Sequence, residues 1–212
     1  ASFKQHLKKI EHRGRHYLPH NYMGDSAYGS EENYTLLEKN KVNNYLKYNI
    51  FYYDNKGEKP KNPYHHDHFI YHESGDYYLC PHGRQLAYQE TIERKKQTGF
   101  ISTIRVYECQ QCSTCPVKAE CTNAQGNRQI YYNQSLDLYR EQAFENLNSD
   151  YGKQLRRRRG FDVETPFGDF KRNRTISRFN LRGLDKVDHE LGLLSICYNL
   201  RKIYFKELKN AA

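Results

Sequence analysis

The sequence predicts an α/β protein in which a partial α/β core is interrupted by a β-rich, cysteine-containing insertion and followed by C-terminal helices. Three observations predict this class. Helical and strand patterns alternate at the start of the chain, tyrosine-rich runs fill its middle, and helical patterns return near residue 136. A chain of 212 residues can form one domain with a sizeable insertion. We expect the segments to be 1–41, 42–134 and 135–212.

The first segment is expected to form a helix, a strand and a second helix. Apolar residues at helical spacing predict a helix within residues 1–17, which Pro19 ends. A short strand over 21–25 follows and stops at an acidic residue. Ser30 then fits an N-cap, because its hydroxyl can accept a backbone N–H and two glutamates follow in the first turn.

The other two segments differ in their patterns. In the middle, β-prone runs alternate with turn-rich stretches and predict strands over 45–53, 69–71, 77–79, 100–107 and 129–132. From residue 136 to residue 208 the pattern is helical, and the last helix should begin after Gly183. Its expected buried face comprises Leu184, Val187, Leu191, Leu194, Leu200 and Ile203.

The charge balance predicts an acidic partner. The formal net charge is +9 and the pI is about 9.1, so nucleic acid is the leading class of partner. No apolar run approaches transmembrane length and no signal peptide is recognisable. We therefore expect a cytoplasmic protein without a membrane partner.

Most of the excess charge lies in residues 151–182, where ten Lys/Arg stand against three Asp/Glu. Four phenylalanines are threaded through the same stretch, so one side should be buried and the charge should gather on the other. The alternative is an ordinary solvated helix with salt bridges. We favour a nucleic-acid-facing surface. Its expected contact residues are Arg156, Arg157, Arg158, Arg159, Lys171, Arg172 and Arg174.

Two carboxylates occupy positions that suit a metal-dependent enzyme acting on phosphate. Asp25 ends the predicted strand, and carboxylates at strand ends of α/β folds face the ligand crevice. Glu164 follows Asp162, an expected N-cap, and the positive end of the helix would keep Glu164 ionised for Mg²⁺. In a regular helix, Glu164 and Lys171 share a face two turns apart. The alternatives are a capping aspartate and an ordinary first-turn glutamate.

Five cysteines have the spacing of a metal site. The group is Cys80, Cys109, Cys112, Cys115 and Cys121. Paired Cys-x2-Cys spacings suit tetrahedral Zn²⁺, with a further ligand from a distant loop. The preferred ligands are Cys80, Cys112, Cys115 and Cys121, with Cys109 as the substitute, in a site that is structural.

Two alternatives to zinc remain open. The run Cys-x2-Cys-Pro-x4-Cys resembles the end of the iron–sulfur loop in some DNA-repair glycosylases, so a [4Fe–4S] cluster is one alternative. The other is a group of reduced cysteines without metal. Cys197 is expected in the core of the last helix. The histidines of a polar loop, His65, His66 and His68, are expected to be solvated.

The chain resembles the DDE-type transposases of bacterial insertion sequences. The resemblance rests on Gly-Asp-Ser-Ala-Tyr-Gly-Ser-Glu-Glu-Asn at 24–33 and Val-Glu-Thr-Pro-Phe-Gly-Asp-Phe-Lys at 163–171. The stretches 180–187 and 199–202 look like the same family, so the resemblance runs nearly end to end.

This resemblance implies a partial ribonuclease-H-like core in which three carboxylates hold two divalent ions, Mg²⁺ or Mn²⁺. Asp25 would be the second acid and Glu164 the third, with the β-rich stretch inserted between them. The implied activity is metal-dependent DNA strand cleavage and strand transfer in transposition. The implied partner is double-stranded DNA at the element ends, and a homodimer is compatible with it. Lys171 would contact phosphate near the cut.

The sequence departs from the family pattern in two places. In the pattern Y-x2-R-x3-E-x6-K, the arginine position is Gly160 and the tyrosine position is Arg157, so Arg159 is the expected substitute. Residues 1–24 contain no aspartate that would supply the first acid. We therefore expect a truncated chain corresponding to the C-terminal half of a transposase. The alternative function is a non-catalytic DNA-binding remnant.

Overall fold

The computed structural model describes residues 3–173 and 178–211. The helices are α1 Phe3–His12, α2 Glu31–Lys39, α3 Phe51–Lys56, α4 Lys118–Cys121, α5 Gln134–Asn148, α6 Asp150–Arg159, α7 Thr165–Gly168 and α8 Leu184–Ala211. The strands are β1 Asn21–Gly24, β2 Asn43–Leu46, β3 Ile70–His72, β4 Tyr77–Leu79, β5 Gln85–Lys95, β6 Ile101–Cys109 and β7 Gln129–Tyr132. The chain divides into two compact units, Ala1–Lys153 and Gln154–Ala212. Across the part of the chain described here, no helix is long and apolar enough to cross a membrane.

The first core of the chain forms around a parallel pair of strands. β1 pairs with β2, so that Gly24 lies opposite Leu46. The buried cluster beside them comprises Phe3, Leu7, Tyr34, Leu37, Val42 and Leu46. The predicted order of helix, strand and helix is confirmed, and Ser30 caps α2 by accepting the Asn33 N–H at 3.4 Å. The paired strands β1 and β2 therefore place the end of β1, and Asp25 directly after it, next to a buried core.

The predicted strand over 45–53 is wrong beyond Leu46. β2 ends at Leu46, and α3 begins at Phe51, whose side chain is buried. Gly57 ends α3 in the left-handed region at φ 66°, where glycine carries no steric penalty. The tyrosines of this stretch favour strands in isolation, but burial of Phe51 and the glycine cap favour a helix turn.

A curled five-stranded antiparallel sheet follows, in the order β3-β4-β5-β6-β7. The predicted strands over 69–71, 77–79, 100–107 and 129–132 are confirmed as β3, β4, β6 and β7 within one or two residues. β5 was not predicted, because its solvent side carries a run of charged and amide side chains that hides the alternation. β5 pairs along almost its whole length with β6, with a bulge between Tyr88 and Glu90.

Hydrogen bonds to the Asp76 carboxylate link the β3–β4 turn to the middle of this sheet. Its carboxylate accepts hydrogen bonds from the hydroxyls of Tyr107 at 2.7 Å and Tyr71 at 2.9 Å, and from Arg105 Nη2 at 2.5 Å. The Tyr107 hydroxyl is the main reason why the pKa of Asp76 is lowered, with smaller contributions from Tyr71 and Arg105. Three donors from two strands therefore favour the ionised carboxyl.

We expect Asp76→Asn to destabilise the protein by about 1 kcal/mol at pH 7, a small value because this carboxyl is more than one-third exposed. Since the folded pKa lies below the ordinary 3.8, the stabilisation is present above that pH. It is lost as the pH falls through the folded pKa. Urea unfolding at pH 7 and pH 3 measures the difference, which should shrink at the lower pH. Glu93→Gln, an exposed change on β5, is the control, and equal losses in both variants would contradict the role of Asp76.

A buried glutamate joins the sheet to the first core. Glu31, at the start of α2, is 7% exposed, and its Oε2 accepts from Ser102 Oγ on β6 at 2.5 Å. The same oxygen accepts from the side-chain amide of Asn133, the N-cap of α5, at 2.7 Å. The neighbouring Glu32 accepts from the Thr98 hydroxyl at the tip of the β5–β6 hairpin. The hairpin and α5 are therefore both fixed to α2.

The second unit contains the end of α6, the short helical elements of residues 160–173 and α8. α8 begins after Gly183 as predicted. Its apolar face is not buried as predicted, because Leu184, Leu200 and Ile203 are 82%, 60% and 54% exposed. The short elements of this unit are too small to cover a helix of 28 residues. Cys197, expected in the core, is likewise exposed.

Candidate metal centres and nucleic-acid interface

Asp25 lies directly after β1, at the carboxyl end of the parallel strand pair. Its Oδ1 accepts the Ser26 N–H at 2.9 Å and caps the 3₁₀ turn Ser26–Tyr28. The side chain is exposed. Asp25 therefore has both the strand-end position predicted from the sequence and the capping role that was the alternative.

The turn that carries Asp25 is packed closely against the following strand. A Cβ atom on Gly29 would lie 2.3 Å from the Lys47 carbonyl oxygen and 2.9 Å from the Tyr48 Cα. Both are backbone atoms, which cannot move aside as a side chain can. Gly29 therefore permits the close approach that positions this turn at the end of β2.

The segment that carries Glu164 is helical, but it is not a regular α-helix. Gly160–Glu164 and Asp169–Asn173 form π-helical turns on either side of α7. Because π turns are wider than α turns, the predicted alignment of Glu164 with Lys171 two α-helical turns later does not apply. The Lys171 side chain is exposed, and the Glu164 side chain lies outside the described residues. Asp25 and Glu164 belong to different compact units.

The arginine run forms the last turn of α6. Four successive residues occupy more than one full turn of a helix, so their side chains radiate around the axis rather than along one face. Arg158 Nε lies 2.8 Å from Asp162 Oδ2, while Arg157 is exposed. The Arg172 side chain and the whole of Arg174 lie outside the described residues.

The five clustered cysteines line one small cavity of about 20 Å³, beside Tyr64 and Arg128. They lie at the ends of elements: Cys80 after β4, Cys109 at the end of β6, Cys112 and Cys115 around a 3₁₀ turn, and Cys121 at the end of α4. All are free thiols. The predicted grouping of distant Cys80 with the Cys-x2-Cys run is therefore present.

Two of these sulfurs accept backbone hydrogen bonds. The Arg84 N–H donates to Cys80 Sγ at 3.2 Å, and the Arg128 N–H donates to Cys112 Sγ at 3.3 Å. Such donors stabilise negative charge on sulfur. Burial raises the pKa of Cys109 to about 11 and also raises the pKa of Cys121, so those thiols need a nearby cation to ionise near pH 7. Thiolates suit Zn²⁺ chemically, but no three of these sulfurs lie within 4.8 Å of one another, so the described structure does not bring the thiols together as a metal-binding group.

A further group of ligand atoms was not predicted. The Nδ1 atoms of His65 and His66 lie 3.2 and 2.6 Å from the two carboxylate oxygens of Asp67. Among the described residues, these three form the one group of His, Cys, Asp or Glu ligand atoms that lie within 4.8 Å of one another. Burial lowers the pKa of His66, which favours the neutral, metal-binding imidazole. The sequence His-His-Asp was the available signal for this group of ligand atoms. The histidines were instead expected to be solvated.

The fold defines a broad class, a mixed α/β protein with a curled antiparallel sheet and C-terminal helices. A family model described as a transposase DDE domain matches residues 79–204, more than half of the chain. The chain therefore belongs to the transposase DDE domain family, as the sequence resemblance predicted. No curated protein and no solved structure matches it significantly.

Membership implies a transposase-type function, with DNA as a partner and divalent metal ions as cofactors. The matched range contains the clustered cysteines, Glu164 and Lys171, whereas Asp25 lies upstream of it. The matched range therefore covers strands β5 to β7 and most of the C-terminal helices, whereas β3 and most of β4 precede it.

Proposed function

We propose that this chain is a DDE-type transposase that cleaves DNA strands and transfers them in a metal-dependent reaction during transposition of a bacterial insertion sequence. The observation that carries the proposal is the family match over residues 79–204. The charge supports it, because ten Lys/Arg stand against three Asp/Glu in residues 151–182. The proposed partner is double-stranded DNA at the element ends, with a second copy of the chain as a further partner.

The proposed architecture is a ribonuclease-H-like core that is split by the β-rich insertion. The parallel pairing of β1 with β2 supports extending the first part of the core from residue 41 to residue 46. The insertion would then comprise residues 47–134, and the core would resume at 135. Asp25 is the second acid of the proposed triad, and Glu164 is the third.

The proposed chemistry assigns separate roles to the acids and the cations. Divalent ions, Mg²⁺ or Mn²⁺, would activate the attacking oxygen and stabilise the leaving one. Asp25 and Glu164 hold these ions through their carboxylates. Lys171 and the exposed Arg157 hold the phosphate backbone, and Arg156, Arg158, Arg159, Arg172 and Arg174 complete the proposed basic surface.

The proposed role of the cysteines is a structural zinc site. Cys80, Cys112, Cys115 and Cys121 are the proposed ligands, with Cys109 as the substitute. The five thiols line a single small cavity, so one metal centre is proposed there. The backbone donors to Cys80 and Cys112 support the inclusion of both in the ligand set.

A second candidate function is DNA binding without catalysis. It is favoured by the excess of Lys/Arg in residues 151–182, because these cations can bind phosphate without any metal ion. In that case the basic surface would bind DNA without strand cleavage.

Nicking of supercoiled plasmid DNA with Mg²⁺ or Mn²⁺ distinguishes the two candidates. The first candidate, a catalytic transposase, predicts that the chain nicks DNA, whereas the second predicts binding alone. Asp25→Asn and Glu164→Gln should each reduce the rate more than roughly 100-fold, since even residues that only orient metal ligands cost 10–100-fold. DNA affinity should change little, and Glu93→Gln, an exposed change on β5, should behave as the wild type.

DNA binding without nicking by the wild-type chain would favour the non-catalytic candidate. Nicking that survives both substitutions would contradict the assignment of Asp25 and Glu164. Absence of both binding and nicking would contradict the proposed DNA partner itself.

A further inference from the structure

The cluster of His65, His66 and Asp67 lies in a loop whose shape is fixed from several sides. His68 Nε2 lies 2.8 Å from the Pro60 carbonyl oxygen, which closes the loop before β3. The Asn62 side chain accepts the Tyr64 N–H at 2.8 Å, and its carbonyl accepts the His65 N–H at 3.0 Å. The three ligand-bearing side chains are therefore held together before any ligand binds.

The hydrogen bonding of His65 leaves a lone pair directed at the cluster. Its Nδ1 accepts the Asp67 N–H and caps the 3₁₀ turn His66–His68. An accepting Nδ1 carries no proton, and the bond is long, at 3.4 Å. His65 Nδ1 also lies 3.2 Å from Asp67 Oδ2, so one cation can reach both atoms.

His66 and Asp67 also line a cavity of about 800 Å³ within the first unit. The carboxylates along this cavity are Asp54, Asp67, Asp137, Glu141 and Glu145. Among the described residues that line it, Arg140 is the single Lys or Arg. This concentration of negative charge is unexpected in a chain of net charge +9, and it favours a bound cation.

We propose that His65, His66 and Asp67 bind a divalent transition-metal ion, Zn²⁺ foremost, at the wall of this acid-lined cavity. Two imidazoles and one carboxylate select such an ion over Mg²⁺, which prefers oxygen ligands alone. Three protein ligands leave an open position towards water or a molecule in the cavity. The site is separate from the cysteines and from Asp25, and it would fix the turn that leads into β3.

Cobalt titration of the reduced, full 212-residue chain separates this site from the cysteine site. Thiolates bound to Co²⁺ give an intense sulfur-to-metal charge-transfer band, whereas imidazole and carboxylate ligands give only weak visible bands. We expect two classes of Co²⁺ site, and two Zn²⁺ ions bound per chain by calorimetry. His66→Ala and Asp67→Asn should each weaken the second class at least about tenfold and leave the charge-transfer band intact.

His20→Ala, which removes an exposed histidine outside the cluster, should retain both classes. Circular dichroism of each variant confirms that the fold is intact. The proposal is overturned if the wild-type chain shows no second class, or if both cluster variants bind as the wild type does. A missing charge-transfer band beside an intact second class would instead contradict the cysteine site alone.

Discussion

Cys112→Ser is expected to remove bound zinc and to destabilise the cysteine-bearing part of the sheet by at least about 4 kcal/mol, a fraction of the roughly 10–16 kcal/mol that structural zinc supplies. The reason is the composition of the second core. Its buried residues are Phe69, Leu86, Tyr107, Cys109, Cys112 and Ile130. Two of these six are cysteines, and Cys80 and Cys121 pack against them. The few apolar side chains cannot hold three loop segments together without a further cross-link.

Thermal unfolding and zinc content measure this effect together. The wild-type chain should retain zinc and unfold at a distinctly higher temperature, and a strong chelator should reproduce the effect of the substitution. Cys197→Ser is the matched control, because Cys197 is an exposed thiol on α8, outside the cavity. A Cys112→Ser chain with full zinc content and unchanged melting temperature would contradict the ligand assignment. Iron with strong visible absorbance would favour the cluster instead.

Gly29→Ala should destabilise the first core by about 3 kcal/mol, at the upper end of the usual cost of overpacking. The added Cβ would lie 2.3 Å from the Lys47 carbonyl oxygen, where only movement of the β2 end relieves the clash. Because Asp25 begins the same turn, any adjustment there also displaces the proposed metal ligand. The plasmid-nicking rate should therefore fall together with stability.

Urea unfolding compares this variant with Gly126→Ala. Gly126 has no atom within 4 Å of a hypothetical Cβ and no positive φ, so that substitution adds a methyl group without a clash. Equal stability of the two variants would show that the turn tolerates a side chain. A Gly29→Ala chain that is unstable but nicks DNA at the wild-type rate would separate the turn from Asp25.

Local signals in the sequence predicted several elements well. Ser30 and its two glutamates marked the start of α2, and Gly183 marked the start of α8. These succeed because caps and glycines act within a few residues of themselves. Cysteine spacing predicted a metal site, which stays a prediction; the structure places the five thiols around one cavity.

Features that depend on distant contacts were not predictable. The stretch after β2 has strand-forming residues, but burial of Phe51 and the cap at Gly57 make it α3. Glu31 is hydrogen-bonded to Ser102, which lies 71 residues away in the sequence. No local sequence pattern predicts a buried contact of that kind. The exposed face of α8 has the apolar spacing of a buried helix, because periodicity shows which face is apolar and not what covers it.

Glu31 also bears on how this chain could be shortened or recombined. Its buried carboxylate accepts hydrogen bonds from the side chains of Ser102 and Asn133, which both lie within residues 47–134. Excision of that stretch would remove both hydrogen-bond donors from this side chain. The β-rich region therefore cannot be removed without loss of the contacts that Glu31 makes. A shortened version would therefore call for a residue at position 31 that needs neither donor.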